Sequence, residues 1–506
     1  MISKFSLVAC SLFLTLSIQP VTAGENETFN IDLATALRLA DADNTQVALA
    51  REKVIQAEAE LAESKTRLIP DLTVGASYHR HDGPIQETNG NLQDVERSSS
   101  FAGLGAGAVG AGDVQVAGIG LNVDLGDAWY APLLAKQRAR AASAKSDAVR
   151  NQVLFEVAVA YYELMRSKGG LQIALEAYEN ASGLAEATES FAQTGEGLES
   201  DKERAAVDAL VRKRDIEVAR ERLELASVNL AWLLRIDPAV RMAPAGSAET
   251  RMSWVEGVNE LGALTDRAMR DRPELKASDA ELAAVLSELE QRRRAPFLPK
   301  LNLGVSTGAF GGDSDSSPAN GGDRTDISGA IYWQLKGMGL EQKAAVDQAA
   351  SQYRQAGITR EDVEIGIAAE VAAATVKVRH RESRLAIGRD AVERATRSYE
   401  LNRSRVFENQ GLPIEVLQAI QSLVSARTLY LDSVIDYNLA QFELFTAVGQ
   451  KEGRTSSEPT FTKASVTEES TRESVIATDP ADSDASLIDS APQVRSPIRR
   501  TRLLRK

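Results

Sequence analysis

Two stretches of this 506-residue chain match each other about 229 positions apart. Leu68-Ile69-Pro70-Asp71-Leu72-Thr73-Val74-Gly75 corresponds to Phe297-Leu298-Pro299-Lys300-Leu301-Asn302-Leu303-Gly304. Upstream, Asn44-Thr45-Gln46-Val47 corresponds to Arg272-Pro273-Glu274-Leu275. Each match closes a helical pattern and opens a strand-like one. Each half then reads strand, glycine-rich loop, strand, very long helix, glycine turn, helix. A repeat at one fixed period signals a duplicated structural unit, here over roughly 30–240 and 260–450.

The helices carry a stripe that steps by three and four. Val47, Ala50, Val54, Ala57, Leu61 and Ser64 mark it first, and Val153, Val157, Ala160, Leu164 and Ser167 mark it in the long helix. Ile216 to Leu233 and Leu423 to Leu444 repeat it. A period near 3.5 keeps one seam against a partner helix. The small seam residues let the helices approach closely. At 1.5 Å per residue the helix near Trp129–Ala192 spans roughly 95 Å and that near Leu340–Glu408 roughly 100 Å. The flanking helices, about 31–67 and 199–235, are each near 55 Å. Two short helices end to end therefore match one long helix, and a rod is expected.

Four short segments alternate with period two. Leu72, Val74, Ala76 and Tyr78 oppose Thr73, Gly75, Ser77 and His79. Ile119, Leu121 and Val123 oppose Gly120, Asn122 and Asp124. Segments from Leu301 and from Ile327 follow the same rule. One apolar face and one small or polar face suit a strand between lipid and a wet lumen. Four strands cannot close a barrel, so several chains must share one, and three copies give twelve strands. The stretches 81–113 and 311–325 are expected to be external loops.

Composition narrows the function. The formal net charge of −14 argues against a nucleic-acid partner. Three histidines and one cysteine are poor material for a metal site, a disulfide framework or a histidine-based catalytic centre. Lys4, the apolar run Phe5–Ile18 and the small residues Val21-Thr22-Ala23 read as an export signal over 1–23. Cys10 lies inside that run, and a lipidated Cys10 is the minor alternative. Gly105, Gly107 and Gly110 fit a dinucleotide fingerprint only by spacing, since a strand rather than a helix follows. Gly304, Ser306 and Gly308 fit a nucleophile elbow but sit inside a period-two strand. His79, His81 and Asp82 suit a wet loop mouth better than a metal site. No cofactor and no enzyme activity is expected.

The order of these features resembles the TolC family of outer-membrane efflux proteins. The resemblance rests on the Leu33, Ala36-Leu37, Ala40 and Asn44 opening and on the junctions at Pro70 and Pro299. It also rests on two turn-to-helix motifs, Thr194-Gly195-Glu196-Gly197-Leu198-Glu199-Ser200-Asp201 and Gly411-Leu412-Pro413-Ile414-Glu415-Val416-Leu417-Gln418-Ala419. The resemblance implies a mainly α fold with a small β part. In it, an α-helical barrel joins a four-strand share of a trimeric, 12-stranded outer-membrane β-barrel. It implies a passive exit duct of a tripartite efflux or type I secretion system, working with a periplasmic adaptor and an inner-membrane transporter. It places Glu415, Gln418 and Asp201 at a periplasmic aperture. The expected division is 1–23 signal, 24–240 first repeat, 241–261 linker at the waist, 262–450 second repeat and 451–506 disordered tail. The rival reading is a soluble periplasmic coiled-coil scaffold or an adaptor.

Overall fold

The computed structural model describes residues 28–106, 116–246, 250–255, 258, 260–314, 317–408 and 410–449. The chain divides into two units, Met1–Thr462 and Lys463–Lys506. The expected export signal with Cys10, the expected tail and most of the glycine motif at 105–110 lie outside the described residues.

The first repeat begins with β1 (Thr28–Ile31), α1 (Leu33–Asp43) and α2 (Thr45–Thr66). Next come β2 (Asp71–Leu72), β3 (Val74–Gln86), β4 (Leu92–Ala106), β5 (Val116–Ala117) and β6 (Ile119–Asp124). The helices α3 (Leu125–Thr194) and α4 (Glu199–Leu234) complete it, and β7 (Arg241–Pro244) follows in the linker. The second repeat runs α5 (Leu261–Asp271), α6 (Pro273–Arg294), β8 (Lys300–Ser314), β9 (Ser317–Tyr332), α7 (Leu340–Phe407) and α8 (Pro413–Ala447).

The stretch expected as one helix over 31–67 is broken at Asn44, and its counterpart breaks at Arg272. At both, the residue's own N–H closes the preceding helix, onto Ala40 and Ala268 respectively. Asn44 then opens α2 by accepting from the Gln46 amide at 2.8 Å. Pro273 starts α6, where a missing N–H costs nothing. The 70-residue α3 and 68-residue α7 are unbroken, and α3 accommodates Pro132 near its start. The seam residues are where burial puts them: Val157 and Leu164 of α3, Leu230 of α4 and Leu444 of α8 are fully covered.

The β part corrects the loop expectation. Residues 81–86 continue β3, and β4 returns from Leu92 to pair with it, Tyr78 opposite Ser100 and Gln86 opposite Leu92. The stretch expected as a loop at 311–325 is mostly the β8–β9 hairpin. Both stretches are rich in Gly, Ser and Asp, which hid strands that are polar on both faces. The count of four strands nevertheless stands. The β4 strand pairs antiparallel with the far half of β8, from Arg97 opposite Ser314 to Leu104 opposite Thr307. The β6 strand pairs antiparallel with its near half, from Ile119 opposite Val305 to Asp124 opposite Lys300. Together β4 and β6 make one composite strand along β8, with β5 paired antiparallel to the end of β4. Gly118 sits at the join, where a Cβ would come within 2.3 Å of the Leu104 carbonyl carbon. Only glycine fits there.

Candidate functional site

The duplication delivers two equivalent tips. Gly195, at φ 78°, ends α3 in the left-handed conformation that glycine adopts without strain. Gly197 then packs against Phe191, and Gly411 packs in the same way against Arg405. Leu198 and Leu412 follow as extended N-cap residues, at φ −88° and −93°. Four residues after each glycine stands an acid. The Asp201 N–H donates to the Leu198 carbonyl at 3.0 Å, and the Glu415 N–H donates to the Leu412 carbonyl at 3.0 Å. The matched positions inferred from sequence are thus matched in backbone geometry.

Each acid has a basic neighbour. Asp201 lies 3.4 Å from Arg204 in its own helix. Glu415 lies 3.3 Å from Arg405, which belongs to the last turn of α7. Gln418 is exposed one turn further along α8. Neither Leu198 nor Leu412 supplies a side-chain cap, so the first-turn acids also complement the exposed amides of their helices. Ala181 and Leu184 of α3, Ala205 of α4, Tyr399 of α7 and Ile420 of α8 share one apolar cluster. Tyr399 also donates to Asn180 at 2.9 Å. Both tips therefore belong to one packed end. Arg405 gave no sequence signal as a partner of Glu415, because the turn between them sets the contact.

The linker between the repeats was not legible as a site. Thr250–Val255 runs along α8 and is held there by side chains. Asn438 accepts from the Met252 N–H at 2.9 Å and donates to the Thr250 carbonyl at 2.8 Å. Gln441 accepts from the Trp254 N–H at 3.3 Å and donates to Tyr437 at 2.9 Å. Trp254 stacks its edge against Phe442 and packs on Phe445. Asn438 and Gln441 are buried polar residues in an otherwise apolar stretch, which was the one available signal. Among the described residues no group of three or more His, Cys, Asp and Glu could hold a metal ion.

On the sheet, Val74, Tyr78, Ile119, Leu303, Val305, Ile327 and Ile331 are exposed along one face. The opposite face carries polar contacts between strands. Asn302 donates to Asn122 at 2.5 Å and Lys300 meets Asp124 at 3.3 Å, while Arg324 meets Asp326 within β9 at 2.8 Å. Within the described residues, β3 and β9 each have a partner on one side only. No described helix is long and apolar enough to cross a membrane.

A duplicated pair of strands feeding a pair of long helical hairpins, with one exposed apolar sheet face, defines the fold. Residues 264–450 match the family model described as outer membrane efflux protein. No curated protein matches the chain. Among solved structures, a membrane protein from Pseudomonas aeruginosa aligns at 17% identity with a TM-score of 0.69, over 82% of this chain and 93% of that one. The outer membrane protein VceC of Vibrio cholerae aligns at 18% and 0.65, over 82% and 96%. The open state of the MtrE outer membrane channel of Neisseria gonorrhoeae aligns at 18% and 0.64, over 82% and 88%. The family match thus covers the second half of the chain, and these solved structures share the fold of the described chain.

Proposed function

We propose that three copies of this chain assemble into a passive exit duct of a tripartite efflux or type I secretion system. The observation that carries this reading is the sheet: four strands with an apolar face and two open edges. Open edges are not tolerated in lipid, and threefold assembly would join β3 of one copy to β9 of the next. Twelve strands leave room for a water-filled lumen. The helical hairpins would then extend into the periplasm as a tunnel, with 24–240 and 262–450 as its repeats and 241–261 around its waist. Energy would come from an inner-membrane transporter reached through a periplasmic adaptor. Leu198 and Leu412, each more than half exposed at the tips, are available for that docking.

Glu415, Gln418 and Asp201 would line the periplasmic aperture, where symmetry gathers three copies of each near one axis. Carboxylates so placed attract cations. Substitution Glu415→Lys should then move the reversal potential in planar bilayers toward anions, and an unchanged potential would remove Glu415 from the aperture.

The assembly is tested by the mass of the mature protein extracted from outer membranes in mild detergent. A heat-labile trimer is expected. A monomer or dimer in the soluble fraction would favour a periplasmic scaffold instead.

A further inference from the structure

Each of the four places where a strand meets a helix exposes large apolar side chains. Leu68 and Ile69 follow α2, Trp129 opens α3, Phe297 follows α6 and Trp333 follows β9, all between 58% and 79% exposed. Trp333 donates its indole N–H to the Phe297 carbonyl at 3.4 Å, which joins the two junctions of the second repeat. Aromatic side chains with a polar tip settle at the boundary between hydrocarbon and headgroups.

Directly behind this belt the chain turns basic, although its net charge is −14. The last turn of α6 is Arg292-Arg293-Arg294, and the last turn of α2 holds Lys65 with Arg67 just after it. Lys336 precedes α7 and is exposed. The three consecutive arginines are half or more exposed. Their acids are Glu288 and Glu290, two for three guanidiniums, at 3.3 to 3.5 Å. Exposed pairs of this length hold little energy, and each guanidinium carries five N–H donors. Three successive helical positions cover about 200° of arc, so the row presents charge outward however α6 is rotated. Within the chain α6 lies between α3 and α7, so a neighbouring copy joined at the chain edges leaves this end of α6 uncovered.

We propose that Arg292, Arg293 and Arg294, with Phe297 and Trp333 beside them, form a headgroup site for anionic phospholipid on the periplasmic side of the outer membrane. Guanidinium forks match phosphate oxygens, and the belt fixes their depth at the headgroup level. The proposal rests on the outer-membrane reading above.

The test uses the full mature trimer in neutral detergent and measures its dissociation temperature as lipid is added. Dioleoylphosphatidylglycerol should raise that temperature by several degrees, and dioleoylphosphatidylcholine should not. The R292Q/R293Q/R294Q variant should need about tenfold more phosphatidylglycerol for the same effect, and the corresponding triple lysine variant should keep most of it. If the triple glutamine variant does not assemble, R292Q, R293Q and R294Q singly are expected to weaken the response about two- to fivefold each. Arginines that serve only the helix dipole would change stability equally in both lipids. Equal responses to the two lipids, or unaltered responses in the variants, overturn the proposal. A trimer indifferent to headgroup charge sinks the lipid site alone, whereas a chain absent from the outer membrane sinks the duct reading and the lipid site together.

Discussion

The side-chain amide of Asn44 donates to the carbonyl of Leu233, 189 residues later, at 3.0 Å. In the second repeat Arg272 occupies the same kink and donates to the Ala447 carbonyl at 3.3 Å. Each kink residue thus holds a carbonyl in the last turn of the repeat's final helix. Such carbonyls lack a helical partner and otherwise go unsatisfied. Asn44 is buried, so Asn44→Ala leaves the carbonyl unpaired and removes the cap of α2. The expected cost is about 2 kcal/mol. Thermal dissociation of the variant should show it, and an unchanged midpoint would contradict the role.

The strap formed by the linker gives a second expectation. Asn438 is 1% exposed and bonds both an N–H and a carbonyl of one peptide stretch. Asn438→Leu should destabilise by about 2–4 kcal/mol, because it leaves a buried N–H and carbonyl unpaired. It should also free the linker locally. Trypsin should then cleave after Arg251, which the native protein holds against Glu382 and Tyr437. Equal cleavage rates in both proteins would count against the strap.

Adjacent glycines in α3 should behave oppositely. Nothing lies within 4 Å of a Cβ built on Gly170, so Gly170→Ala is expected to stabilise by about 0.5–1 kcal/mol. A Cβ on Gly169 would meet Leu431 of α8 at 2.8 Å, and Leu431 is itself buried. Gly169→Val should cost about 1–3 kcal/mol through overpacking. Denaturation midpoints of the two variants provide the comparison.

Two aspartates should respond to acid with opposite signs. Arg150 donates to Asp41 from Nε at 2.6 Å and from Nη2 at 3.0 Å. Those bonds hold the Asp41 carboxyl below its ordinary value of 3.8. Its stabilisation is complete above about pH 4 and is lost as pH falls through the lowered value. Burial pushes Asp432 up instead, with Asp436 adding to the rise and Arg166 opposing it. A raised carboxyl costs stability above its ordinary value, and the cost is relieved as pH falls through the raised one. Asp41→Asn should therefore lower the melting temperature at pH 7 and flatten its fall in acid. Asp432→Asn should hold or raise it at pH 7. Equal losses in both variants would contradict these assignments.

At the tip, Arg405→Gln removes the cation beside Glu415 without touching the acid. If Glu415 faces the conducting path, cation preference should increase, opposite in sign to Glu415→Lys. Reversal potentials in a salt gradient decide it.

Much of this protein is written in its residue order. The duplication appears because Pro70 and Pro299 head the same apolar run. The seams appear because burial along a helix repeats every three or four residues, and the strands with an exposed apolar face because Val74, Ala76 and Tyr78 alternate with small or polar residues. The tips were legible too, since a glycine followed four residues later by an acid occurs twice. Other features needed the fold. The residues 81–86 and 92–98 are polar on both faces, so no alternation marks them as strands, and only pairing with a partner makes them so. The β4–β6 composite exists because two separate segments share β8 as a template. Arg405 reaches Glu415, Asn44 reaches Leu233 and Asn438 reaches Met252 only once the helices are side by side. Periodicity reports which face of an element is buried. It does not report which distant group will satisfy a buried donor, and that pairing is fixed by packing in three dimensions.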